Sequence, residues 1–386
     1  MEVPGTLCYR NAAMDNARID TVVVGASAAG LATSACLKKK GVQHLLLERE
    51  AHVAHAWRNH YLRLHLHTPR GGSGLPGLAM PKSYPQYPSR EQVVEYLEAY
   101  ASRLGLAPRF GQEVRRVARH ERGWQVETQD QKIDCKHVVV ATGYTNQPRV
   151  PTWPGQEGFA GEVLHSSKYR TGAAWKGRRA LVVGFGNSGG EIAIDLVEEG
   201  AAAVGLAVRS PVNVIPRDLF GVPILSVGIV MSKLGAGLAD LLSAPLVRAV
   251  VGDLHKLGLR KLPYGPFTQI TREGRIPLLD IGTMKLVKEK RIEIHAGIER
   301  FTQDGVRFED GVEQKYDAVV LATGYTPSLD RFIGPVKELV DERGVPKASG
   351  VEVLPGLYCC GFHVAPTGML REIGIEARRI AASIAS

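Results

Sequence analysis

The chain lacks most of the marks of a secreted, metal-bound or membrane-spanning protein. Its 386 residues include only five cysteines (Cys8, Cys36, Cys135, Cys359 and Cys360), with no CxxC and no metal-ligand spacing. An odd, sparse set of thiols in a chain of this length reads as reduced, intracellular and cytoplasmic, with no metal centre. The first eighteen residues carry Glu2 and Asp15 and no apolar core, which argues against a signal peptide. The most apolar stretch, Leu219 to Met231, is broken by Gly221, Pro223 and Gly228. At about thirteen residues it is too short for the ~20 that span a bilayer. Lys and Arg outnumber Asp and Glu by 48 to 39, a net charge of +9, but they are scattered without a nucleic-acid-binding signature. That excess suits anionic small ligands, not nucleic acid. With 44% hydrophobic and 23% charged residues, disorder and coiled coil are excluded, and the length predicts two or three domains.

What is present is a repeated strand–turn–helix signal. Ile19–Val24 is a β-rich run ending at Gly25-Ala-Ser27-Ala-Ala-Gly30, followed by an Ala-rich helical pattern to Lys40 with Gly41 as its stop. A second strand, His44–Glu48, ends in a carboxylate eighteen residues after Gly30. This is the pattern of a dinucleotide-binding βαβ unit. The turn lets the backbone approach a pyrophosphate, the helix N-terminus stabilises its charge, and Glu48, with Arg49 beside it, can meet the ribose. Ser27 stands where a middle glycine is expected. The second unit runs Arg179–Val183, then Gly184-Phe-Gly186-Asn187-Ser188-Gly189, then a helical pattern to about Gly200. Its following strand, Gly205–Val208, ends in Arg209-Ser210, and a cation with a hydroxyl there suits a 2′-phosphate, so NADPH is expected over NADH. A solvated arginine is the other reading. Asn187 and Ser188 either contact the nucleotide or cap the helix.

Two more strands share one ending, Ala141-Thr142-Gly143-Tyr144 and Ala322-Thr323-Gly324-Tyr325. Between the two glycine-rich turns, Phe159-Ala-Gly161-Glu-Val-Leu-His165-Ser-Ser-Lys-Tyr169 matches every fixed position of FxGxxxHxxxY. In that segment the chain resembles the flavin-containing monooxygenases. The Tyr61–Pro69 run, Tyr84–Pro88, Tyr96–Tyr100, Gly186–Gly189 with Glu191 and Asp195, Val208–Ser210 leading to Arg217, and Pro277–Gly282 narrow the resemblance to the YUCCA branch. So does Gly356–Phe362. The similarity is colinear from about Asp20 to the C-terminus. Three departures stand out: Ser27, Gly190 in place of the usual Met after GNSG, and the His363–Thr367 turn.

The resemblance implies an α/β protein of two doubly wound, Rossmann-like dinucleotide-binding domains. An FAD domain (18–150 and 321–386) is interrupted by an NADPH domain (151–320), with an apolar insertion at about 213–260 that lines a substrate channel or touches a membrane surface. It also implies a cycle in which NADPH reduces FAD, O₂ adds at the flavin C4a, and the protein shields the resulting (hydro)peroxide. The substrate it points to is an aryl 2-oxo acid such as indole-3-pyruvate; N- or S-oxygenation is the alternative. The basic balance, with Arg217 or Arg70 as candidate carboxylate partner, favours an anionic substrate as well. His67 falls where the amine-oxidising branch has Asn and is the candidate catalytic residue, unless it packs at a domain seam. Trp57 stands either against the FAD or in the core, and Thr367 near the flavin. A disulfide reductase of the same architecture needs a dithiol that this chain lacks. A non-catalytic nucleotide-binding redox sensor is the remote alternative, favoured only by Ser27. Oligomeric state is not legible.

Overall fold

The computed structural model describes residues 19–386 apart from 122, 220, 232–233 and 335–337, so Cys8 and the N-terminal segment lie outside the described residues. Two parallel sheets organise the chain. The first has the order Glu352–Leu354, Leu357–Cys359, His137–Val140, Thr21–Val24, His44–Leu47, Pro108–Arg109, drawing strands from both ends of the sequence. All its pairings are parallel except that between Glu352–Leu354 and Leu357–Cys359. The second is wholly parallel, in the order Glu293–His295, Ala203–Ala207, Arg179–Val183, Ala318–Leu321, Glu162–His165. Short runs of Val, Leu and Ala form the middle of these strands because both faces of the sheets are covered there. Val22, Val23, Leu181 and Val182 are fully buried.

Helix α1 (Ala28–Lys39) follows the first central strand, α3 (Arg90–Arg103) packs beside it, and α2 (His55–Asn59) packs on α3. Helix α4 (Asn187–Glu198) follows the central strand of the second sheet. The apolar stretch is not one element: a two-strand hairpin (Asp218–Leu219 with Val222–Pro223) leads into α5 (Ile224–Met231), and α6 (Ala236–Val251) and α7 (Pro266–Glu273) follow. Gly221 and Pro223 break the run where the chain turns. After α8 (Thr283–Lys288), the last helix, α9 (Met369–Ala385), packs on α1. In each sheet the order reverses beside the central strand, which leaves a crevice at the carboxyl ends of the strands. Both glycine-rich turns lie at those ends.

Candidate active site

Each turn contains glycines that the fold requires and a middle position that it does not. A Cβ on Gly30 would lie 1.7 Å from the Gly25 carbonyl oxygen, and one on Gly189 would lie 2.0 Å from that of Gly184. Gly25 and Gly184 have φ of +101° and +112° and abut the carbonyls of Ala141 and Ala322. At Gly186, by contrast, a Cβ would meet nothing within 4 Å. The corresponding Ser27 therefore costs the turn nothing and changes only what a ligand meets. Both α1 and α4 start with no side-chain cap and no acidic residue in the first turn, leaving N–H groups that favour an anion. Glu48 braces the first turn: its carboxylate accepts from the Ala26 N–H at 2.7 Å and from the Glu50 N–H at 3.1 Å.

Two adjoining cavities open at these turns. The smaller, about 610 Å³, is lined by Gly25, Ser27, Glu48, Arg49, Ala141 and Thr142 among others. The larger, about 820 Å³, is lined by Ser27, Trp57, His67, Ala141, Thr142, Gly143, Asn187 and Ser188. They share Ser27, Ala56, His60, Ala141, Thr142 and Thr145, so one space leads into the other. The Thr142 hydroxyl at their junction is buried without a hydrogen-bond partner. An orphaned polar atom beside two uncapped helix ends fits an extended dinucleotide. The remaining sequence candidates line neither cavity: Gly30, Gly184, Gly186 and Gly189 shape the turns. Ala322, Thr323 and Gly324 form the crossing after the second sheet, where the Thr323 hydroxyl donates to the Arg149 carbonyl. Arg209 and Ser210 are exposed just past Ala203–Ala207, and the Thr367 hydroxyl donates to Glu372.

The larger cavity is walled by the apolar insertion, through Leu225, Val227 and Met231 of α5, Leu246 and Val247 of α6, and by Phe267 and Ile270 of α7. Gly228 of α5 sits against the Pro366 carbonyl, so the wall rests on the unusual 363–367 turn. Among the described residues no Lys or Arg lines this cavity. The expected carboxylate partners are engaged elsewhere. Arg217 donates to Asp218 at 2.9 Å and lies 4.0 Å over the Tyr87 ring, and Arg70 donates to the Tyr84 carbonyl at 2.9 Å.

The polar groups of the cavity gather where segment 61–67 meets α4. That segment is not a strand; it forms a single bridge, His65 with Ser89. Both His65 and His67 line the cavity. His67 Nε2 lies 2.6 Å from the Glu191 carboxylate, which is 2% exposed. Trp57 lines the cavity and packs on the core of the first sheet. The Asn187 side-chain oxygen accepts from the Leu279 N–H at 2.8 Å, leaving its amide N–H₂ to donate. Burial, helped by Arg90 and Arg170, holds the His60 imidazole down to about 4 and hence neutral at pH 7.

The pyridine nucleotide-disulphide oxidoreductase family pattern matches residues 22–216. Indole-3-pyruvate monooxygenase YUCCA1 of Oryza sativa subsp. japonica is 37% identical over 88% of this chain and 86% of its own length. Indole-3-pyruvate monooxygenase YUCCA6 of Arabidopsis thaliana is 35% identical over 99% of this chain and 95% of its own length. The chain belongs to the YUCCA family of flavin-dependent monooxygenases. It is thus an oxidoreductase that uses FAD and NADPH. The fold is shared more widely. A flavin-containing monooxygenase from Stenotrophomonas maltophilia superposes with a TM-score of 0.73 at 23% identity, covering 95% of this chain and 98% of that one. A bacillithiol disulfide reductase from Bacillus cereus gives 0.68 at 20%, covering 96% and 99%. In this YUCCA-family chain Cys36, Cys135, Cys359 and Cys360 are free and buried, and none lines either cavity.

The Phe159–Tyr169 segment is held by packing and hydrogen bonds to its neighbours. Phe159 packs edge-on against Phe301 at 5.2 Å, and a Cβ on Gly161 would lie 2.7 Å from the Asp317 carbonyl. His165 donates from Nε2 to the Gly324 carbonyl at 3.1 Å, while its Nδ1 accepts from the Ser167 N–H at 3.1 Å. Tyr169 is fully buried, stacks on Trp175 at 5.4 Å and donates to Asp195 at 2.6 Å. Gly190 is explained by its surroundings: a Cβ there would lie 2.8 Å from Leu278 and from Thr283, leaving no room for Met. Sequence reasoning assigned no role to Glu191 or Tyr61. The signal was legible only for Glu191, a carboxylate inside the apolar run Gly189–Val197.

Proposed function

We propose that this chain oxidatively decarboxylates an aryl 2-oxo acid, indole-3-pyruvate foremost. The overall change is 2-oxo acid + O₂ + NADPH + H⁺ → shortened acid + CO₂ + H₂O + NADP⁺. One observation carries the reading: a single apolar cavity meets the first nucleotide turn at Ser27 and the second at Asn187 and Ser188. The names of the relatives supply the substrate. The apolar lining, with Trp57 and Phe267, suits an aryl group. In this reading residues 18–150 and 321–386 form the FAD domain and 151–320 the NADPH domain, supported by the membership of the two sheets. Gly25, Ser27, Gly30, Glu48, Arg49 and Thr142 hold FAD; Gly184 to Gly189, Arg209 and Ser210 hold NADPH. When bound, FAD supplies the centre that accepts a hydride from NADPH and activates O₂. The apolar wall excludes water, and His67 holds or moves a proton at the oxygenation site.

N- or S-oxygenation is the second reading, favoured by a cavity that has a buried carboxylate at Glu191 and no Lys or Arg lining it among the described residues. Side-by-side turnover of indole-3-pyruvate, phenylpyruvate, trimethylamine and a thioether separates the two. Indole-3-acetate formed in step with NADPH use is expected; coupled turnover of only the amine or thioether would overturn the first reading.

The 213–260 insertion acts as a lid on this cavity. Val230, Leu238 and Leu241 are 65%, 48% and 70% exposed on its outer side, yet no described helix is long and apolar enough to cross a membrane. Liposome co-sedimentation should recover little protein; strong, salt-independent binding would assign the face to a membrane surface instead. The unpaired thiols support a cytoplasmic setting.

A further inference from the structure

Glu191 lies one turn into α4 and is 2% exposed. Its Oε1 is 2.6 Å from His67 Nε2. Here a carboxylate can only accept, so the imidazole carries its hydrogen on Nε2 and donates it. His67 Nδ1 has no hydrogen-bond partner among the described residues, and the ring lines the cavity. A histidine that merely packed at a seam would leave neither this open nitrogen nor a buried carboxylate oxygen, Glu191 Oε2, without a partner.

A second group lies beside the same carboxylate. Tyr61 is buried beside Glu191 and Ser188, and burial together with the Glu191 charge raises its phenol well above the usual range, so it stays protonated. Ser188 stands in the first turn of α4, at the nucleotide-binding end. Among the described residues the other titratable side chains on the cavity wall are His60, His65 and Tyr144, and Tyr325 stands beside Tyr61.

We propose that Glu191 is a positioning residue for His67, fixing the Nε2–H tautomer and turning Nδ1 towards the cavity where oxygenation takes place. In that pose a ring with one hydrogen presents an acceptor at Nδ1, and a ring with two presents a donor there. The ring can therefore take or give a proton at a fixed point without reorienting. The proposal rests on reading this cavity as the oxygenation site.

Glu191→Gln tests it, because the side chain keeps its shape while its amide can donate as well as accept, which frees the tautomer. The FAD-loaded protein is labelled with ¹⁵N-histidine, and His67 is assigned by its absence in His67→Asn. Long-range ¹H–¹⁵N spectra should show the Nε2–H tautomer in the parent and a mixed or inverted one in Glu191→Gln. The second readout is NADPH-driven H₂O₂ release without added substrate (NADPH + O₂ + H⁺ → NADP⁺ + H₂O₂). It should rise about tenfold in Glu191→Gln, a fraction of what a positioned acid–base group contributes. The double variant should match His67→Asn alone, because both changes act through one group. An Nδ1–H tautomer in the parent would overturn the proposal even if Glu191→Gln failed to fold. An unchanged tautomer in that variant, or additive effects in the double variant, would do the same. None of these readouts needs the substrate, so failure of the substrate panel and failure of this proposal remain distinguishable.

Discussion

Tyr169→Phe separates a scaffolding role for the fingerprint from a chemical one. The ring is fully buried and stacked on Trp175 at an interplanar angle of 7°, and Phe keeps that stack. Only the hydroxyl is lost, and with it the 2.6 Å hydrogen bond to Asp195. Asp195, 7% exposed, retains the Gly172 N–H at 2.8 Å but loses its strongest neutral donor. A hydrogen bond to a charged group contributes roughly 1.5–3 kcal/mol, and leaving part of a buried carboxylate unsatisfied adds to the cost. We therefore expect a loss of about 2 kcal/mol, read as a lower urea midpoint at an unchanged m-value. Because Tyr169 lines neither cavity, kcat for the natively folded fraction should stay within twofold of the parent. A variant of unchanged stability whose kcat fell tenfold or more would refute the scaffolding argument and place the phenol in the chemistry.

Arg209→Ala should weaken NADPH by roughly ten- to a hundredfold while sparing NADH, since a charge-assisted contact to the 2′-phosphate contributes on the order of 1.5–3 kcal/mol; equal losses of the two coenzymes in a titration would reduce Arg209 to a surface residue. Stability should also fall in mild acid. Folded His60 is held neutral down to about 4 against an ordinary 6.5, so between those values the unfolded chain binds the extra proton. Its contribution is complete above pH 6.5 and is lost as the pH falls towards 4, by up to roughly 3 kcal/mol. Urea midpoints at pH 7 and 4.5 should converge in His60→Asn, and an unaltered pH slope in that variant would contradict the assignment. Gly190→Met should destabilise by about 1–3 kcal/mol, because its Cβ must displace Leu278 and Thr283 from 2.8 Å; an unchanged thermal midpoint would show that this packing yields freely.

Local rules made both nucleotide turns legible in the sequence. Outer glycines are demanded by close backbone approach, as Gly30 and Gly189 show at 1.7 and 2.0 Å, and β-rich runs before them and helical patterns after them follow from short-range preference. The carboxylate at Glu48 and the cation at Arg209 are likewise visible as strand endings. Periodicity failed where the backbone is irregular. The 61–67 segment has no repeating geometry, so alternation could not say where His65 and His67 point. Charge alone named Arg217 and Arg70 as substrate partners, but their nearest acceptors, Asp218 and the Tyr84 carbonyl, are closer claimants that only folding brings into place. The pairing of His67 with Glu191 joins residues 124 positions apart. No local signal encodes it, because it exists only once α4 of the second sheet packs against a loop that leaves the first. Short-range preference specifies the two glycine-rich turns with their flanking strands and helices, whereas long-range packing sets which polar groups share the apolar cavity between them.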